Sequence, residues 1–248
     1  MKGLFATLLV IVILAAGGLY AAKRIMTDHT LRNQAAESLR LKDYSLTVPE
    51  GKRREEIAQL AADAGICSAE DFLVASMGKE GYLFPDTYRF FKNTPASQVV
   101  AAMTDDFSKR TATLKPTPNQ IVLASIVERE ALGDSDRPLI AGIYQHRLAI
   151  GMKLQSDPTV EYGKDTLRQG AGLLAAYWKP ITQDEYQSVS SPFNTYLIAA
   201  LPPTAIANPG LSSLQAAANP SPTDMLFFLY KDGKLLTSKT FEGHLSQE

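Results

Sequence analysis

The stretch TPNQIVLASIVEREAL, residues 117–132, reads as a helix with a defined start. Thr117 is a preferred N-cap, Pro118 suits the first helical position, and Gln120 can close a capping box. From Ile121 to Val127 the chain is apolar on nearly every side, which marks a helix buried in a core rather than lying on a surface. Two carboxylates follow, Glu128 and Glu130. At about 100° per residue, Glu130 falls within the stripe of Leu123, Ile126 and Val127, while Glu128 falls on the other side with Ile121, Ser125 and Leu132. Burying a carboxylate on an apolar stripe is costly, and desolvation raises its pKa toward the range a general acid needs. The position also suits a structural acid, paired with an arginine or relaxed at the helix end. The stretch alone leaves both open.

Composition narrows the classes. The chain has 248 residues, 45% hydrophobic and 21% charged, as expected of one sizeable domain or two small ones. A formal net charge of -1 gives no electrostatic case for a nucleic-acid partner. One cysteine, Cys67, rules out an intramolecular disulfide or a multi-thiolate metal site and suits a small buried hydrophobe. His29, His146 and His244 are far apart in no ligand spacing, so neither a zinc hydrolase nor a Ser-His-Asp enzyme is supported. There is no internal repeat, phosphate-cradling glycine loop or redox motif, and neither a metal nor an organic cofactor is expected.

Outward from the central stretch, residues 4–22 carry no charge. At about 1.5 Å per residue they reach roughly 28 Å, close to the thickness of a bilayer core. Small residues near Ala15 to Gly18 suit a cleaved signal peptide, but the run exceeds a usual signal core and reads as a single-pass anchor. Basic residues on both sides (Lys2, Lys23, Arg24) leave orientation open. Residues 25–43 read as a polar juxtamembrane segment, either a short helix or a stalk. Residues 44–48 alternate as a strand, 53–64 have helical spacing closed by Gly65, and Ser68 caps a short helix to Ala75. EGYLFPDTYRFF (80–91) is dense in aromatics, which suits either a core or the rim of a sugar-binding cleft.

Residues 95–114 and 134–150 read as helices flanking the central one. LQSDPTVEYG (154–163) packs polar groups into a turn that either caps a helix from Pro158 or lines a cleft. Residues 164–184 read as an irregular surface loop around Trp178, and SPFNTYLIAALPPTAIANP (191–209) as a loop with turn chemistry at both ends. Residues 211–218 read as a short helix. Asp232-Gly233 between apolar runs (225–230 and 235–240) is a hairpin signal.

Four segments in this order, EGYLFPDTYRF, ASIVEREA, LQSDPTVEYG and SPFNTYLIAALPPTAIANPG, together with the ending FFLYKDGKLLTSKTFEGHL, resemble the endolytic murein transglycosylases, the MltG or YceG-like family. The resemblance covers roughly residues 44–248. It implies a single-pass protein of the cytoplasmic membrane whose catalytic domain lies on the extracytoplasmic side and cuts the glycan strands of peptidoglycan, with cell-wall synthesis proteins as further partners. It implies that the second glutamate of the ASIVE-x-E motif, Glu130, is catalytic, and that Glu128 is a supporting acid, with Ser125 beside it. Gln155, Asp157, Thr159, Tyr162, Asn194, Thr195 and Tyr196 are candidates for sugar contacts and for orienting Glu130, with Glu80 a further one; turns and caps use the same residue types. The interval 25–47 is short for the LysM-like module usual in the family, so that module is expected in abridged form.

The expected architecture is α+β, with helices around the Glu130 helix and small antiparallel sheet pieces. The expected divisions are a cytoplasmic tip and transmembrane anchor (1–24), a stalk (25–43), a LysM-like or connecting segment (44–78) and a catalytic domain (79–248).

Overall fold

The structure is a computed structural model, in which the described residues are Tyr20, 23–32, 43–169 and 176–247. The apolar run expected to be an anchor lies outside them apart from Tyr20; among the described residues no helix is long and apolar enough to cross a membrane. Residues 23–32 are helical. The rest is a mixed α+β fold in the order β1 (Asp43–Thr47), α1 (Arg54–Asp63), α2 (Ala69–Ala75), β2 (Thr87–Phe91), α3 (Ala96–Arg110), α4 (Pro118–Glu130), α5 (Arg137–Ala149), α6 (Asp157–Gln169), α7 (Glu185–Ser188), α8 (Leu211–Ala218), β3 (Phe227–Lys231), β4 (Lys234–Ser238) and α9 (Phe241–Leu245).

Helix α4 is the axis. Thr117 accepts from the Gln120 amide at 3.3 Å while the Gln120 side chain accepts from the Thr117 amide at 2.8 Å, closing the capping box. Every residue from Ile121 to Val127 is buried. The helix packs against α8 and α5 in a core that includes Leu123, Ile126, Val127, Ile140, Tyr144 and Leu214. No glycine ends it. Ala131 turns extended, and the Leu132 amide donates to the Tyr230 hydroxyl at 3.0 Å. The hairpin β3–β4 forms at Asp232-Gly233, with Leu229 opposite Leu236.

The first unit has its own core, in which Leu46, Ile57, Phe72, Leu83, Val99 and Met103 are sealed. Strand β2 pairs antiparallel with β1, Thr87 opposite Thr47 and Phe91 opposite Asp43. Sequence reading left residues 80–91 as core or cleft; the strand is visible only as the short alternation of exposed Thr87 and Arg89 with half-buried Tyr88 and Phe90. This pairing, and the packing of α3 beneath it, carry the unit past residue 78. Residues 164–184 also differ from the expected loop, because α6 continues to Gln169. Asp165 on that extension is fully buried, lies 3.9 Å from the buried Arg53 guanidinium, and accepts from the Trp178 amide at 2.8 Å. Trp178 is half-buried, its indole donating to Glu56 at 2.7 Å beneath the Arg129 guanidinium.

Asn208 joins the two units. Its side-chain oxygen accepts from the amides of Gly81 and Leu83, both at 2.9 Å. Its side-chain nitrogen donates to the Lys52 carbonyl at 3.0 Å and to Glu80 at 2.7 Å. Glu80 accepts in addition from the Arg54 amide at 3.1 Å. Both side chains are buried, so these bonds replace the ones water would have made. Gly81 allows the close approach: at φ +89°, an added Cβ would stand 2.6 Å from the Ala205 Cβ. Burial, reinforced by the nearby Glu55 charge and opposed by Arg53, pushes the Glu80 carboxyl up to about 8 from an ordinary 4.5.

Asn208→Ala leaves the buried amides of Gly81 and Leu83 without acceptors and takes a donor from the buried Glu80, and is expected to cost about 3 kcal/mol or more. A lower urea midpoint at unchanged m-value checks this. Glu80 gives a pH signature of defined sign. Between pH 4.5 and 8 the folded state keeps a proton on Glu80 that the unfolded chain has released. Its contribution to stability is therefore complete below pH 4.5 and is lost as pH rises to 8. Denaturation at a series of pH values should show this decline, and Glu80→Gln, which mimics the protonated acid, should flatten it.

Candidate active site

The two acids at the end of α4 diverge because two helical residues lie about 200° apart around the axis. Glu128 turns toward the start of α8. One oxygen accepts from Arg137 at 3.2 Å, and the other accepts from the Gly210 amide at 3.0 Å and the Ser213 hydroxyl at 2.8 Å. Arg137 is tied in turn to Asp134 at 2.9 Å. An anion at a helix N-terminus, paired with a buried arginine, is a structural brace. The Glu128 side chain is only 6% exposed, and both its oxygens are occupied.

Glu130 turns the other way, into a cavity of about 440 Å³. Its Oε1 accepts from the Tyr144 hydroxyl and from the Ser156 hydroxyl, each at 2.6 Å. The residue is half-buried, open to the cavity and otherwise enclosed by protein. Burial pushes its carboxyl pKa up; the Ser156 and Tyr144 hydrogen bonds pull it back, the Asp157 charge raises it further, and Arg147 lowers it. The outcome is a carboxyl above its ordinary range.

Tyr144 comes from α5, where its fully enclosed ring meets Phe228 edge-on at 5.7 Å. Ser156 comes from the turn before α6. Gln155 there has φ +52°, a left-handed conformation that costs of order 1 kcal/mol for a residue with a side chain. The turn is held from behind. Thr195 accepts from the Ser156 amide at 3.0 Å, its carbonyl accepts from the Gln155 amide at 3.1 Å, and Thr159 donates to the Ser156 carbonyl at 2.6 Å. Asp157 opens α6, where the helix N-terminus favours its charge. Its two oxygens accept from the hydroxyls of Tyr196, at 2.6 Å, and Tyr186, at 3.3 Å. Arg147 donates to the carbonyls of Leu226 and Leu154, bracing the hairpin against the turn. Phe227, Phe228, Tyr230, Phe241 and His244 complete an aromatic wall.

The residues singled out in the sequence thus separate into three groups. Glu130, Gln155, Asp157 and Tyr196 line one cavity. Thr159, Asn194 and Thr195 are fully buried behind it and have no surface to offer a ligand; Asn194 accepts from the Tyr196 amide at 2.9 Å and donates to the carbonyls of Tyr186 and Val189. Ser125 is likewise sealed, accepting from the Ile206 amide at 3.0 Å, and so supports a loop rather than Glu130. Glu80 and Tyr162 lie at a different cavity, of about 390 Å³, shared with Arg54, Tyr82 and Pro203. The aromatic residues of 80–91 contribute none of the lining around Glu130; Phe84 is core, and Tyr88 and Phe90 pack on the first unit. Sequence reading missed Tyr144, Arg147, Tyr186 and the aromatic wall. Tyr144 reads as one more apolar position on α5, and only tertiary packing aims its hydroxyl at Glu130.

Residues 9–248 match the model of the YceG-like family. A protein named endolytic murein transglycosylase from Bacillus subtilis is 35% identical over 175 residues, covering 66% of this chain and 46% of its own length. One of the same name from Streptococcus pneumoniae is 28% identical over 243 residues, covering 81% of this chain and 43% of its own. The chain therefore spans less than half the length of these curated relatives. A crystal structure of a YceG-like protein from Listeria monocytogenes superposes with a TM-score of 0.70 at 31% identity, over 83% of this chain and 76% of that one.

Proposed function

The chain belongs to the YceG-like family, and from that premise we propose that it is an endolytic lytic transglycosylase of peptidoglycan, with Glu130 as its acid and base. The observation that carries this reading is the asymmetry of the two carboxylates in the cavity. Glu130 has one oxygen held by protein and one left open, whereas both oxygens of Asp157 accept tyrosine hydroxyls. Hydrolytic glycosidases mostly use two working carboxylates. One is enough when the substrate carries its own nucleophile.

In the proposed reaction Glu130 protonates the oxygen of the β-1,4 bond between N-acetylmuramic acid and N-acetylglucosamine. The C1–O bond breaks, with its electron pair leaving on that oxygen. Glu130, now a carboxylate, takes the proton of the muramic C6 hydroxyl as that oxygen bonds to C1, closing a 1,6-anhydro ring without consuming water. The attack is intramolecular and gains from a high effective concentration. Asp157, near the developing positive charge, favours it electrostatically. Gln155 and Tyr196 are polar groups for the sugars, and the aromatic wall suits the C–H faces of pyranose rings.

The reading extends to the cell. The uncharged run 4–22 would act as a single-pass anchor, holding the catalytic domain on the extracytoplasmic side of the cytoplasmic membrane. The unit built on β1, α1, α2 and β2 would serve as the abridged LysM-like segment. Cutting near the membrane would limit the length of nascent strands beside the proteins that make them.

The test is digestion of purified peptidoglycan by the full chain, with products identified by mass spectrometry. Anhydro-ended fragments are expected, and Glu130→Gln should lower the rate at least 10²-fold, the lower end of what a positioned acid–base group contributes. Reducing ends would overturn the transglycosylase in favour of a two-carboxylate hydrolase. No cleavage by the intact protein would favour a glycan-binding or scaffold role.

A further inference from the structure

Both protein donors to Glu130 converge on one oxygen. Tyr144, from α5, and Ser156, from the turn before α6, each donate to Oε1 at 2.6 Å. Oε2 accepts no hydrogen bond from any described residue, and it is not among the buried polar atoms left without a partner, so it faces the open cavity. A carboxyl oxygen has two lone pairs in the plane of the group, and two accepted hydrogen bonds occupy them. We propose that Tyr144 and Ser156 are positioning residues that hold Oε1 as the carbonyl oxygen of the neutral acid and so fix the transferable proton on Oε2, the only oxygen of Glu130 that can reach a ligand.

This deepens the transglycosylase reading and rests on it for its catalytic consequence. Without the cradle, a neutral carboxyl could carry its proton on either oxygen, and half of the arrangements would face protein. With it, the proton faces the glycosidic oxygen at the start. After transfer the same two donors stabilise the carboxylate through Oε1, leaving Oε2 free to take the proton of the C6 hydroxyl. Donor and acceptor of the two half-reactions are then one atom, and no protein hydrogen bond has to be exchanged between them. The donors are themselves rigid: Tyr144 is 1% exposed and Ser156 is 1% exposed, the latter held by Thr195 through its amide.

The cradle also sets acidity. A donor to the charged form lowers a carboxyl pKa, so removing either hydroxyl must raise that of Glu130. The other titratable and charged groups around it are Arg147 on α5, Asp157 at the start of α6, Tyr186 on α7, Tyr196 after it, Tyr230 on β3, His244 on α9 and Arg129 beside it on α4. Tyr144→Phe, Ser156→Ala and Ser156→Thr remove none of these.

The experiment compares Tyr144→Phe, Ser156→Ala and Ser156→Thr with the unaltered full chain. The first readout is the pH profile of kcat/KM for anhydro-end formation. The second, independent of turnover, is the Glu130 titration followed by carboxyl ¹³C NMR of the resting protein, its signal assigned by absence in Glu130→Gln. Tyr144→Phe and Ser156→Ala should each move the alkaline limb and the NMR titration upward by about one pH unit, the size expected for loss of one charge-assisted hydrogen bond. They should lower kcat and leave KM within about twofold, as expected for groups that act on the acid rather than on the sugar. Ser156→Thr, which keeps the hydroxyl, should restore both readouts. An unmoved limb and titration in folded Tyr144→Phe and Ser156→Ala proteins would overturn the cradle. If the unaltered protein made no anhydro ends, the reading of function would fall, while the NMR titration would still decide whether the two hydroxyls govern Glu130.

Discussion

Two carboxylates at the end of one buried helix have to be satisfied on opposite sides at once, and much of the fold answers to that requirement. Helix α4 is sealed along Ile121 to Val127, so its C-terminal end emerges from an apolar core with Glu128 and Glu130 pointing apart. An unpaired charge in such a place costs several kcal/mol. On one side the fold brings the start of α8 and Arg137 to Glu128. On the other it brings Tyr144 and Ser156, which are neutral donors. An arginine and a helix N-terminus occupy both oxygens of Glu128, whereas two hydroxyls on one oxygen leave the other oxygen of Glu130 facing the cavity.

The second constraint is the joint between units. Asn208 spends its side-chain oxygen on two backbone amides and its side-chain nitrogen on a carbonyl and on Glu80. Full satisfaction makes the joint specific, because any slip of the Gly81 loop against the 201–210 loop strands several buried polar groups together. The same contacts explain why Glu80, a candidate read from the sequence, lies at a different cavity from Glu130. Its buried carboxyl serves the joint, and its raised pKa follows from that burial.

The polar residues around Glu130 are layered. Thr159, Asn194 and Thr195 are sealed and hold the backbone of the Gln155–Asp157 turn and the Tyr186–Tyr196 pair. Gln155, Asp157 and Tyr196 stand in front of them at the cavity. A site whose front residues are pinned by buried hydrogen bonds reorganises little when a ligand enters, the condition under which fixed dipoles stabilise developing charge most effectively. The aromatic wall comes from the opposite direction, carried by a hairpin that Arg147 ties to the turn through two carbonyls.

Residue order was enough for features set by neighbours in the chain. The capping box of α4, its buried interior, the glycine after α1, the Ser68 cap and the Asp232-Gly233 hairpin follow from local sterics and hydrogen bonding, and each stands where the pattern predicts. The angular separation of Glu128 and Glu130 was equally legible, since it depends only on helical period. Strand β2 was not, because its partner β1 lies some forty residues away and TYRFF alternates too briefly to announce itself. Nor was the continuation of α6, which rests on Asp165 meeting Arg53 in the interior. Which polar residue touches the cavity and which is sealed behind it was beyond the sequence for the same reason. Asn194 and Tyr196 have the same turn-forming surroundings in the chain, and only the packing of α6, α7 and the hairpin buries one and opens the other. Local order determined which groups were present and how they were spaced along the chain; tertiary contact alone decided which carboxyl oxygen was left free.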